Sequence, residues 1–482
     1  METRVVVWVG VCLLVGCGSS VVLEGPATTD GDGGTASPAT SSSTGGGAPT
    51  TGSGGAGGNV PVACEDWRHI LGGDGANWLR GQAVGPDGSV AVTVDSTAGL
   101  SFDGTPLDVE PGLVVVKLGP SGDLEWARRF GQSSQGPTMP VAFDAAGNLF
   151  VGGIGSQSAQ IGDLTISQPG SMGYVAKLAP DGTPLWAQSW GGPIESGAIA
   201  DLALDAEGNV YFEGAFGFGN SITWGSLTAE GMAFVGKIFA DGTPAWLRGF
   251  DGAFVERRPL GVAPNGHLVI GETLQGAGSF DGIELSSVGG FDILSFELDP
   301  DGQVVDAQRY GDDALQRASG FAVGPAGTRT LIGINWGILD FGAGAVGSSG
   351  DHEVFLAQFD ASGTNTWTKS GSNDYAPSAL AGTADGGVAL VISSQLAAAF
   401  GCGSSESDLV LVELDPLGQC TLVAPVAHCL DPSSCELHLG GLQISPDRRV
   451  VSGYFSGTAL IGDHPITSEI WDGFVMATCA AP

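Results

Sequence analysis

"YVAKLAPDGTPLWAQSW" spans Tyr174–Trp190. Sixty residues earlier the chain reads "VVVKLGPSGDLEWARRF" (Val114–Phe130), and sixty later "FVGKIFADGTPAWLRGF" (Phe234–Phe250). Each copy is an apolar, partly β-branched run, a turn built on Asp or Ser and Gly, and a second run carrying tryptophan. Such a phrase specifies a tight hairpin. Proline presets φ, aspartate caps the turn through its side chain, and glycine accepts positive φ.

The phrase keeps its register along the chain. After Trp126, Trp186 and Trp246, the tryptophan place is taken by Asp306, Trp367 and Leu422. Nine residues before each stand Lys117, Lys177, Lys237, Glu297, Gln358 and Glu413, and four before each a glycine from Gly122 to Gly418. A second phrase interleaves in seven copies: "VGPDGSVAVTV" from Val84, "FDAAGNLFVGG" from Phe143, "LDAEGNVYFEG" from Leu204, "VAPNGHLVIGE" from Val262, "VGPAGTRTLIG" from Val323, "GTADGGVALVI" from Gly382 and "ISPDRRVVSGY" from Ile444. A third lies between them, as in "LSFDGTPL", "AQIGDLTI", "GSFDGIEL" and "ALIGDHPI". No stretch shows a capped helical period, so each unit predicts about four strands and no helix. Units of this kind, repeated at one period, predict an all-β, seven-bladed β-propeller of four-stranded blades. The repeated tryptophans read as packing between blades.

Six complete first phrases leave one blade short, and its halves stand at the chain ends. "DGFVMATC" (Asp472–Cys479) matches "MGYVAKLA" up to the turn, and "CEDWRHI" (Cys64–Ile70) matches "TPLWAQSW" after it. The N-terminal strand is therefore expected to complete the last blade beside the C-terminal strand. Cys479 and Cys64 then flank the missing turn, which predicts a Cys64–Cys479 disulfide closing the ring. Cys402, Cys420, Cys429 and Cys435 allow three pairings. We favour Cys402–Cys420 and Cys429–Cys435. A zinc cluster that includes His428 and His438 is the sharper alternative, but paired C-x-x-C spacing is lacking.

The N-terminal part is of another kind. "METRVVVWVGVCLLVGC" has one cation, Arg4, and an apolar run to Val15 that is too short for a spanning helix. Leu14-Val15-Gly16-Cys17 resembles a bacterial lipobox, which implies removal of residues 1–16 and lipidation of Cys17. Residues 17–62 read as a Gly/Ser/Thr/Pro-rich disordered linker with a reach of roughly 35 Å, and residues 63–482 as the propeller. The expected location is the bacterial cell envelope, as an outer-membrane lipoprotein on its periplasmic or extracellular face.

The 482 residues carry a formal charge of −35 with only four lysines, which argues against nucleic-acid binding and against an anionic-lipid patch. The acidic excess attracts cations or keeps a glycine-rich chain soluble; the second is the simpler reading.

The order "fDG..L.s.G..D.fv.KldpdG...W...fG", seen most fully in "SMGYVAKLAPDGTPLWAQSWGG", resembles the SBBP-type β-propeller repeat of bacterial surface and secreted proteins, including lipoproteins of myxobacteria. The resemblance covers about Ala63 to Ala480. It implies a fold and a location, and transfers no catalytic residue.

No nucleophile elbow G-x-S-x-G and no D-x-D-x-D-G calcium loop occurs. His69, His267, His352, His428, His438 and His464 fall at unlike repeat positions. Asp103, Asp163, Asp281 and Asp463 share one loop of four units, where turn capping is a simpler role than calcium coordination. Phe216, Phe218 and Trp224 form a candidate aromatic contact for a sugar ligand. The sequence thus favours a non-enzymatic, monomeric binding or scaffold module for a protein or polysaccharide, without a cofactor. The alternative is a propeller enzyme with a central-funnel site: a polysaccharide lyase, a glycosidase or a quinone-dependent dehydrogenase.

Overall fold

The computed structural model describes residues 64–131, 139–191, 198–215, 221–254, 260–347, 352–372, 379–431 and 433–480. The signal segment, Cys17 and the linker lie outside the described residues. The fold is all-β, and the strand ladders are antiparallel throughout. No described helix is long and apolar enough to cross a membrane.

The strands pair as successive quartets. The first is Asn77–Val84, Val90–Ser96, Gly112–Leu118 and Leu124–Gly131. The second is Val141–Phe143, Leu149–Ile161, Leu164–Leu178 and Pro184–Gly191. The third is Ala198–Leu204, Val210–Ala215, Ala233–Ile238 and Pro244–Phe254. The fourth is Leu260–Val262, Leu268–Phe280, Ile283–Leu298 and Val304–Tyr310. The fifth is Gln316–Val323, Arg329–Asn335, Glu353–Phe359 and Asn365–Ser372. The sixth is Leu380–Gly382, Val388–Ser393, Leu409–Leu414 and Cys420–Cys429. The seventh joins Glu436–Ile444, Arg448–Ile461 and His464–Cys479 to Trp67–Gly72 from the other end of the chain.

The opening strand of each quartet lies against the opening strand of the next, and the seventh lies against the first. Apolar clusters fill the spaces between quartets. One joins Ala142, Phe150 and Val175 of the second to Phe212 and Phe234 of the third. Another joins Val90, Val92 and Val114 of the first to Val450, Val475 and Leu71 of the seventh.

The second and first phrases form the two turns at one end of each quartet, hereafter the turn end. The third phrase forms hairpins at the other end, and these cover neighbouring edges. Ser101–Phe102 pairs with Trp67–Gly72, Ser221–Trp224 with Pro184–Gly191, and Leu268–Phe280 with Pro244–Phe254. An uncovered outer strand is a template for unwanted pairing, so each such hairpin removes a liability.

One expectation needs correction. Ser394–Ala399 is a short helix, N-capped by Ser393, whose side chain accepts the Leu396 amide. It takes the place of the third-phrase hairpin in the sixth quartet and packs against the outer strand of the fifth. Six residues are too few to display a helical period in the sequence.

Candidate functional site

Each quartet is fastened to the next at the turn end. Trp126 Nε1 donates to Pro180 O at 3.1 Å, Trp186 to Ala240 O at 3.2 Å and Trp246 to Pro300 O at 3.0 Å. Trp67 and Trp367 do the same to Pro120 O and Pro416 O. Lys117, Lys177 and Lys237 donate to the same three carbonyls as the first three tryptophans, at 3.2–3.4 Å. Each indole also lies over the turn glycine it faces. At Gly302, φ is +78° and a Cβ would fall 2.8 Å from Trp246 Cδ2, so both backbone and space demand glycine. The repeated tryptophans and lysines are thus junction latches.

Where the sequence drifts, the latch changes. Glu297 replaces lysine and receives Arg329 at 2.7 Å and His267 at 2.7 Å. Burial works against its charge, but the hydrogen bonds and charges of Arg329 and His267 hold its pKa below the ordinary glutamate value. Asp306 replaces tryptophan, and a cavity of about 30 Å³ beside Arg329 and Gly363 marks the lost ring.

The seventh quartet lacks a covalent turn, and there Cys64 and Cys479 are joined by a disulfide. Its second-phrase turn is one residue shorter: Ile444 pairs with Arg449, whereas Val84 pairs with Val90. Arg448 donates to Pro120 O and Gly88 O of the first quartet. Arg449 forms a two-pronged ion pair with Glu413 of the sixth, one prong at 2.8 Å. That hydrogen bonding raises the Arg449 pKa further, so the guanidinium stays charged.

A funnel of about 810 Å³ opens beside this shortened turn. Its wall comprises turn residues of the first, second, fifth, sixth and seventh quartets. Asp87, Asp385 and Asp447 bring carboxylates to it; Thr383, Ser445 and Gln443 bring neutral polar groups; Glu413 and Arg449 bring the ion pair. Burial opposes ionisation of Asp87, yet hydrogen bonds from Ser89 and the charge of Lys117 prevail and hold its pKa low. Thr383 Oγ1 donates to Asp385, which fixes that turn. The funnel therefore offers backbone groups, hydroxyls and fixed acids.

The other candidates fall elsewhere. Trp224 is only 3% exposed and packs against Trp190 and Phe212, with Nε1 donating to Gln188. It is a core residue, which corrects its assignment as a ligand contact: at that strand position the ring faces inward between quartets. Phe216 and Phe218 lie outside the described residues. Cys402 is bonded to Cys420, and Cys429 to Cys435, so these sulfurs are tied up and the zinc alternative loses its thiolates.

Asp103, Asp163, Asp281 and Asp463 occupy the tips of four separate hairpins. Asp103 and Asp281 take φ of 48° before a glycine, whereas Asp163 and Asp463 follow a glycine of positive φ, giving two mirror-type turns. The histidines are likewise dispersed. His69 meets Asp103 at 2.7 Å, His428 meets Asp408 at 3.2 Å, His464 meets Asp463, and His352 lies against Trp336. No group of three or more metal-ligating side chains occurs among the described residues. The residues that line the funnel and the two arginines were not singled out in the sequence. The available signal was the missing glycine and doubled arginine of "ISPDRRVVSGY".

No protein-family model and no curated protein matches the chain. Solved structures give distant likenesses. A virginiamycin B lyase from Staphylococcus aureus is 10% identical with a TM-score of 0.43, covering 85% of this chain and 99% of its own. A puromycin hydrolase is 14% identical with a TM-score of 0.40, covering 81% and 53%. A gluconolactonase from Xanthomonas campestris is 13% identical with a TM-score of 0.32, covering 84% and 88%. At these TM-scores the likenesses carry no argument about activity.

Proposed function

We propose that this chain is a seven-bladed β-propeller of the SBBP type, closed where its two ends share a blade, which binds a protein or polysaccharide rather than transforming it. The quartets are its blades. The unbroken circuit of contacts between opening strands supports closure. The Cys64–Cys479 bond supports it at the seam. Three disulfides support an oxidising, non-cytoplasmic compartment. The lipobox-like segment adds attachment to the bacterial envelope through lipid on Cys17.

The observation that carries a binding role is the funnel. It is large enough for part of a chain ligand, and it is lined by turn backbone, short polar side chains and an ion pair already committed to the junction of the sixth and seventh quartets. Thr383→Trp would fill it without touching a junction latch. With the purified protein on a support, capture from envelope and matrix extracts should fall at least tenfold in that variant, with the circular dichroism spectrum of the folded protein kept. Equal capture by both proteins, or consumption of a polysaccharide by the unaltered one, overturns the reading. Metabolic labelling with an alkyne fatty acid tests the anchor: Cys17→Ser should lose the label.

A further inference from the structure

The seventh quartet carries a second feature, at the end opposite the funnel. The ring of His438 lies flat on Tyr454, 4.9 Å between centroids and 11° between planes. Trp471 stands edge-on to both, at 5.2 and 5.5 Å. Strand alternation puts these rings on the face that carries Val450, not on the face where Leu437, Leu439 and Phe455 enter the core shared with the sixth quartet. They lie beyond the end of the core shared with the first quartet and belong to neither cluster.

The cluster is open only in part: His438 and Trp471 are half-buried, whereas Tyr454, 8% exposed, is the buried ring on which His438 rests. The His438 side chain is 30% exposed and Glu436, 3.8 Å from its Nε2, is 68% exposed. Burial lowers the His438 pKa and outweighs the pull of Glu436, so the imidazole is neutral at pH 7. Asp472 is hydrogen-bonded to Ser468 and to Asn77 of the first quartet, which fixes the strand that presents Trp471.

Held rings, a neutral imidazole and an exposed carboxylate acceptor match one chemistry well. A pyranose presents an apolar C–H face for stacking and hydroxyls at its edge for hydrogen bonding. A nucleotide or other anion would meet Glu436 and an acidic chain. We propose that His438 and Trp471, held from beneath by Tyr454, form a stacking platform for an uncharged hexose unit, with Glu436 accepting from a ring hydroxyl. This site is separate from the funnel and does not rest on it.

The test is an array of uncharged oligosaccharides, α- and β-linked hexoses and N-acetylhexosamines, probed with the full chain, followed by titration of the best binder while tryptophan fluorescence is read. The expected result is retention on at least one uncharged glycan. Trp471→Ala should weaken it at least tenfold, Trp471→Phe should restore most of it, and Thr383→Trp in the funnel should leave it unchanged. Glu436→Gln should weaken it severalfold with no change in melting temperature. Retention on no uncharged glycan, or equal retention by Trp471→Ala, overturns the proposal. Loss in Thr383→Trp but not in Trp471→Ala overturns it in favour of the funnel.

Discussion

The junction between the third and fourth quartets and the seam between the seventh and the first solve one problem with different chemistry. At the former, Trp246 covers Gly302, and its Nε1 and Lys237 Nζ share the Pro300 carbonyl. At the seam, Trp67 still covers Gly122 and still reaches Pro120 O, but Ala477 takes the lysine place and brings no donor. Arg448, entering from a shortened turn, supplies the missing donor to that carbonyl. The covalent turn is likewise absent, and a disulfide stands in for it. The demand is constant: a turn carbonyl half out of water needs donors, and a turn glycine needs a cover. The residues that meet it change where the chain ends meet.

If both places meet one demand, their losses should be comparable. Trp246 is 8% exposed, so Trp246→Ala should cost about 3–5 kcal/mol, seen as a lower midpoint in urea. Removing the seam bond with Cys64→Ser and Cys479→Ser together should cost about 2–5 kcal/mol, and reductant should then have little further effect on the seam. A seam loss below about 1 kcal/mol would mean that strand pairing and Arg448 suffice without sulfur. Arg449→Met strands Glu413 in a half-buried place and should cost about 2 kcal/mol; adding Glu413→Leu should recover most of it.

A fourth test sets pH against a buried acid. Asp201 sits in the third quartet's opening strand and accepts the Leu202 and Leu260 amides, bridging to the fourth. Burial pushes its pKa to about 7. Its folded value exceeds the unfolded one of about 3.9, so the folded state holds the proton more tightly. Stability from this group is therefore present at low pH and lost as pH rises toward 7. Asp201→Asn keeps only one of the two acceptors, so it should destabilise by about 1 kcal/mol near pH 4, and that cost should shrink or reverse as pH rises past 7. A constant difference across that range contradicts the assignment. The smallest effect is expected where the latch has lapsed: Asp306→Trp should fill the cavity beside Gly363 and raise stability by about 1 kcal/mol.

Much of the strand order was legible because each hairpin announces itself locally. Asp-Gly turns flanked by alternating runs fix both turn type and register, as at Asp103-Gly104 and Asp281-Gly282. The pairing of Trp67–Gly72 with the C-terminal strand was legible because two broken halves of one phrase stand at the chain ends. The helix at Ser394–Ala399 was hidden because six residues carry no period. Trp224 was misplaced because an aromatic residue in a hairpin looks alike whether it faces solvent or a neighbouring quartet. The lining of the funnel and the grouping of His438 with Tyr454 and Trp471 were not legible, because each depends on residues from strands or quartets that the sequence does not set side by side.

Non-reducing peptide mapping by mass spectrometry tests the central claim of closure most directly. The account predicts one cross-linked species joining the peptide of Cys64 to the peptide of Cys479, converted to two by reductant. Cys64 found free, or joined to Cys402, Cys420, Cys429 or Cys435, would contradict it.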